Sequence, residues 1–238
     1  MAQFSSFANR LPDPNFGIAE DGSATGTRVT GPGFASVRFA SQRPVAISRT
    51  NSGRVITRAI ANQKWNINIS YNPMTRDEFE PIHNFLLEYG KIRPFFISLP
   101  QYADTRTSGF TGTISVDGAI SAGARSFTAD GFSSDNASEG LRPGDMITFT
   151  DSSNSNHLKA YKIIKVLTNS NYLSGSQPNS GERIIYTSPP IEKAVSNDST
   201  INFENVLIRV IMTSDVIEYD LGNNNLFQFS LQLEEAQP

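Results

Sequence analysis

The stretch "QKWNINISYNPM", residues 63 to 74, alternates without a slip. Trp65, Ile67, Ile69 and Tyr71 fall on one face of an extended chain; Lys64, Asn66, Asn68, Ser70 and Asn72 fall on the other. A period of two commits the segment to a strand with one buried face. Slipping the register by one residue would turn four large apolar side chains to water. The second face is polar and almost uncharged. A wet sheet surface, a neighbouring copy or the wall of a channel would each suit it. The C-terminal "LFQFSLQLEEA" repeats the device, with Phe227, Phe229, Leu231 and Leu233 opposite Gln228, Ser230 and Gln232. Two such strands from opposite ends of a domain can share one sheet. Burying each of their eight large side chains contributes roughly 1.5–3 kcal/mol, so that sheet would dominate the core.

The elements between them read as follows. Residues 1–33 are rich in Gly and Pro ("LPDPNFG", "VTGPGF") and predict an extended arm, either mobile alone or laid on a neighbour. "ASVRFAS" predicts a strand, and "PVAISRTNSGRVITRAI" a hairpin turning at Asn51-Ser52-Gly53. "TRDEFEPIHNFLLEYG" predicts a helix over about 77–89 with the stripe Phe79, Ile82, Phe85, Leu86, Tyr89. Thr75 with Glu78 and Asp77 with Glu80 both spell a capping box. The start at Asp77 is favoured, because it brings Pro81 nearer the first turn, where a missing N–H costs little. "RPFFISLPQ" predicts a strand closed by Pro100. From Ser108 to about Tyr186 the chain changes to short strands divided by Gly and Asp turns, as in a small barrel or sandwich. "NVLIRVIMTSD", "VIEYDLG" and the closing strand complete the chain. The expected domains are therefore an arm at 1–33, a β domain made of 34–107 plus 187–238, and an inserted β domain at 108–186.

Little in the sequence points to catalysis. There is no cysteine, so disulfides, thiolate metal sites and a Cys nucleophile are excluded. Of the two histidines, His83 lies in the helix off its apolar stripe and His157 in a loop; neither has a flagged carboxylate partner. No phosphate-binding glycine loop, metalloprotease motif or calcium loop occurs. The adjacent pair Glu234 and Glu235 predicts a solvated strand end. No cofactor, metal site or membrane span is expected. Charge is unevenly spread: residues 34–107 carry ten Arg/Lys against five Asp/Glu, net +5, and residues 187–238 two against eight, net -6. The halves either neutralise each other within one fold or meet between copies.

The order of "RVITRAIANQKWNINISYNPMTRDEFEPIHNFLLEYGKIRPFFISLPQ" and "SPPIEKAV...VLIRVIMTSDVIEYDLGNNNLFQFSLQLEEA" resembles the tail-tube fold of bacteriophage tail tubes and related tail-tip and baseplate proteins. The resemblance spans about half the chain. It implies a mainly β protein, a tail-tube-like β-sandwich or barrel with one flanking α-helix and a small β-barrel-like insertion. It implies a structural, non-enzymatic virion protein, assembled in the host cytoplasm. Its partners would be copies of itself in a homo-oligomeric ring, commonly sixfold, other tail or baseplate proteins, and passing genomic DNA held without sequence preference. Asn66, Asn68, Ser70 and Asn72 would then line the channel or a subunit contact, the alternative being an ordinary solvent face. The arginines of the first hairpin, Arg49, Arg54 and Arg58, fit charge contacts between subunits better than a channel wall, which should not hold phosphate tightly. The other reading is a host-surface or carbohydrate-binding β-sandwich module of a tail fibre, which would need a cluster of exposed aromatics.

Overall fold

The structure is a computed structural model that describes residues 9–19, 28–107, 109–133, 140–155, 157–169 and 180–236. The first strands are β1 (Gly17–Ala19), β2 (Arg28–Thr30), β3 (Phe34–Gln42), β4 (Val45–Arg49), β5 (Val55–Ala59) and β6 (Lys64–Tyr71). Helix α1 (Arg76–Tyr89) and β7 (Phe95–Ser98) follow. Next come β8 (Ile114–Asp117), β9 (Ser126–Asp130), β10 (Met146–Thr150), β11 (Tyr161–Thr168), β12 (Arg183–Ser188) and β13 (Thr200–Asn202). The last strands are β14 (Leu207–Met212), β15 (Asp220–Leu221), β16 (Phe227–Gln228) and β17 (Ser230–Glu235). The protein is mainly β, as expected.

The chain divides into two compact units, one of residues 1–97 with 209–236 and one centred on residues 98–208. The first is built on a five-stranded sheet of order β3-β6-β17-β14-β7. The two alternating strands are neighbours in it: Ile69 opposes Leu231, Asn68 opposes Gln232 and Ile67 opposes Leu233. Trp65, Ile67, Ile69, Leu231 and Leu233 are all buried. Helix α1 covers this face through Phe79, Ile82, Phe85 and Leu86. Phe79 stacks on Phe227 at 4.6 Å between ring centroids, and Phe85 meets Phe95 edge-on at 5.3 Å.

The helix begins one residue before the favoured start. Thr75 is its N-cap, and its N–H and hydroxyl both donate to Glu78 Oε2 at 2.9 Å. Pro81 therefore stands inside the helix. The reciprocal cap and four buried side chains outweigh the one backbone bond Pro81 cannot donate. The arm also differs from expectation in its described part. Leu11 N–H donates to the Phe96 carbonyl at 2.8 Å and Phe96 N–H to the Asn9 carbonyl at 2.7 Å, so this segment runs beside β7. A Cβ on Gly31 would meet the Pro12 carbonyl at 2.5 Å, so only glycine allows this close approach. Residues 1–8 and 20–27 of the expected arm lie outside the described residues.

The second unit contains a closed barrel of order β10-β11-β12-β9-β8-β13. Ile114, Val116, Phe127, Phe149, Tyr161, Ile163, Ile185 and Ile201 fill its core. Its chain limits, Ser98 and Ile208, are wider than the expected 108 and 186. Beyond residue 186, strand β13 pairs with both β10 and β8 and closes the barrel. Three residues pairing on both edges show little signal in sequence, because partners rather than patterning define them. The "PGD" turn holds a buried carboxylate, Asp145, which accepts the N–H of Arg142 at 2.7 Å and of Arg106 at 2.9 Å.

Candidate functional site

The sheet's uncovered face carries the polar half of the alternation. Ser36, Ser70 and Ser230 form one cross-strand row, Arg38, Asn68 and Gln232 the next, and Ala40, Asn66 and Glu234 a third. The rows are knitted laterally: Ser36 and Ser70 hydroxyls lie 2.7 Å apart, and Asn66 Nδ2 donates to Gln42 Oε1 at 2.9 Å. Lys64 Nζ meets Glu234 Oε2 at 3.2 Å, so those two charges cancel locally. Arg38, Gln42, Asn66, Asn68, Gln232 and Glu234 line an open depression of about 380 Å³, with Thr213 also on its wall. The structure thus brings Asn66, Asn68 and Ser70 onto one surface. Asn72 lies past the end of β6, beside Pro73, Phe34 and Glu78 in a different depression.

The adjacent pair at the C-terminal strand end differs from expectation. Glu234 is solvated, but Glu235 is buried and its Oε2 accepts the Trp65 N–H at 3.2 Å. The alternation that buries Leu231 and Leu233 carries Glu235 to the same face, which is the signal that locates it.

Hairpin β4–β5 forms a two-stranded sheet of its own. The Asn51-Ser52-Gly53 turn is as expected, with Gly53 at φ 81°, a conformation that suits glycine. Every residue of both strands is exposed. Register sorts its faces: Val45, Ile47, Arg49, Val55, Thr57 and Ala59 share one, and Ala46, Ser48, Ile56 and Arg58 the other. Ile47 is 67% exposed and Ile60, just past the hairpin, also 67%. Arg49, Arg54 and Arg58 are exposed as well. An isolated hairpin is marginal in water, and one that shows aliphatic side chains on both faces lacks its cover.

The sheet's two margins are unlike. At the β7 margin the segment around Arg10 pairs with Phe96. At the other margin β3 pairs with β6 alone among the described residues. An unblocked edge is a template for another chain.

Neither histidine is set up for chemistry. His83 stacks on Phe79 at 5.0 Å and meets Tyr219 edge-on at 5.7 Å. His157 is buried, with Nε2 2.7 Å from the Tyr161 hydroxyl, and burial holds its pKa below the usual imidazole value. Among the described residues no group of His, Asp and Glu side chains is placed to hold a metal ion.

Comparison with known proteins agrees with the architecture. Residues 22–102 match the family described as distal tail protein pb9, A domain, N-terminal. The chain is 27% identical over 231 residues to the distal tail protein pb9 of Escherichia phage T5, covering 95% of this chain and 99% of that protein. The resemblance to bacteriophage tail proteins read from the sequence therefore holds along nearly the whole chain, and it supports a structural role in a phage tail.

Proposed function

We propose that this chain is a ring-forming structural protein of a bacteriophage tail, acting at its distal end, where it continues the DNA channel and docks other tail proteins. The likeness to a distal tail protein supports the location. The observation that carries the ring is the asymmetry of the first unit. One sheet margin is lined by the chain's own N-terminal segment, while the other, at β3, has no further partner strand among the described residues and leads into the exposed β4–β5 hairpin. Neighbouring copies complete that margin, and a closed ring leaves no edge over. Its symmetry is sixfold, as the tail-tube resemblance implies.

The Asn66, Asn68 and Ser70 face lines the channel. Neutral amides and hydroxyls predominate on this face, with Lys64 paired to Glu234 and Arg38 as the exception in the middle row. Such a wall stays wet with little grip on phosphates, whereas each further Lys or Arg on a phosphate adds to affinity and salt dependence. Electron microscopy of the purified protein, with mass from analytical ultracentrifugation, tests the ring; a monomer at all concentrations rejects it. Asn66→Ala with Asn68→Ala should leave fold and ring intact. Asn66→Arg with Asn68→Arg should give rings that retain DNA at low salt and release it at high salt. Unchanged DNA retention in the arginine variant would remove that face from the channel.

A further inference from the structure

The first unit carries a second exposed segment that is the chemical counterpart of the arginine hairpin. Residues 214–226, between β14 and β17, contain Asp215, Glu218 and Asp220 and no Lys or Arg. Val216 is 63% and Leu221 56% exposed. Residues 43–60 contain four arginines and no Asp or Glu, with exposed Val45, Ile47, Val55, Ile56 and Ile60. Each segment couples aliphatic side chains with charge of a single sign, and the signs are opposite.

The sheet's register places the two segments at opposite ends. Hairpin β4–β5 leaves where Gln42 pairs with Lys64. The acidic segment leaves where Ser230 pairs with Ser70 and Thr213 N–H donates to the Gln232 carbonyl. The complementary segments therefore leave the sheet at opposite ends of its strands. Such a pair fits a head-to-tail contact between copies, which closes into a ring when the rotation allows. The acidic segment is also anchored in advance. Tyr219 sits 4.9 Å from Phe79 and 5.4 Å from Phe227, and β15 pairs with β16. Asp215 is engaged by Lys91 at 2.7 Å, and Glu218 and Asp220 are exposed.

We propose that the β4–β5 hairpin of one copy docks on the acidic segment 214–221 of the next. Arg54 and Arg58 lie against Glu218 and Asp220, and Ile56 against Val216. This rests on the ring reading and names the surface that the hairpin meets. The absence of cysteine from the chain allows a direct test. Single variants Ile56→Cys and Val216→Cys, mixed and oxidised, should give a cross-linked heterodimer in far higher yield than either alone. Charge reversal supplies an independent measurement. Arg54→Glu/Arg58→Glu and Glu218→Arg/Asp220→Arg should each lose assembly by ultracentrifugation while keeping the wild-type circular dichroism. The four-fold combination should regain it. Wild-type rings without preferential cross-linking, or acidic variants that assemble normally, overturn the pairing and leave the ring standing. A wild-type protein that never assembles rejects the ring itself.

Discussion

Two neighbouring glutamates show how position on a strand, rather than residue type, sets energetic weight. Glu234 lies on the polar face and pairs with Lys64 where both side chains are more than one-third exposed. Such surface pairs contribute about 0–1 kcal/mol. Glu235 lies one residue on, turned into the core side, and receives the Trp65 N–H. Glu235→Ala removes that acceptor from the edge of the core and should destabilise by about 1–3 kcal/mol, whereas Glu234→Ala should cost less than about 1 kcal/mol. Urea unfolding of the two variants would separate them, and equal effects would contradict the burial difference. The helix cap is a third residue-scale case. Hydrogen bonds from Thr75 hold the Glu78 carboxyl below the usual carboxylate range. A depressed pKa means that this contribution is present above the unfolded value and is lost as pH falls through the folded one.

At the scale of elements, β6 and β17 answer the question their sequences raise: their apolar faces meet α1 and their polar faces form one continuous surface. Hairpin β4–β5 obeys the same strand chemistry, yet every residue of its two strands is exposed. Replacing residues 44–61 by a short Gly-Ser link should therefore leave the melting temperature of the first unit within a few degrees of wild type. It should abolish ring formation, as measured by ultracentrifugation. A large loss of stability would mean that the hairpin belongs to the subunit core. "VIEYDLG" is the opposite case: expected as a strand, it contains only the two-residue β15, and its upstream part is irregular. Its alternation of apolar and acidic residues is real, but it has no long partner strand to pair with.

For the whole molecule, two separate cores predict two sources of stability. The sheet-and-helix unit buries Trp65, Ile67, Phe79 and Phe85, and the barrel buries its own set. The barrel unit contains His157, whose pKa burial lowers. The unfolded chain takes up a proton at the ordinary imidazole pKa while the folded barrel resists it. His157 therefore supports folding fully above that value, and the support is lost progressively as pH falls toward the lowered folded pKa. Calorimetry between about pH 7 and pH 5, across the ordinary imidazole pKa, should show the barrel's transition falling, with the other little changed. His157→Gln should flatten that dependence; an unchanged slope would assign it elsewhere.

Local pattern carried the strands, the Asn51-Ser52-Gly53 hairpin, the helix and the tail-protein resemblance, because periodicity and turn chemistry act over a few residues and leave their mark in order along the chain. It also placed Asn66, Asn68 and Ser70 on a common face. The tertiary structure alone decided which capping box is used, that β13 closes the barrel, and that residues 9–11 run beside one margin of the sheet. Each of these depends on a partner far away in sequence, and pairing between distant segments is written in neither segment by itself.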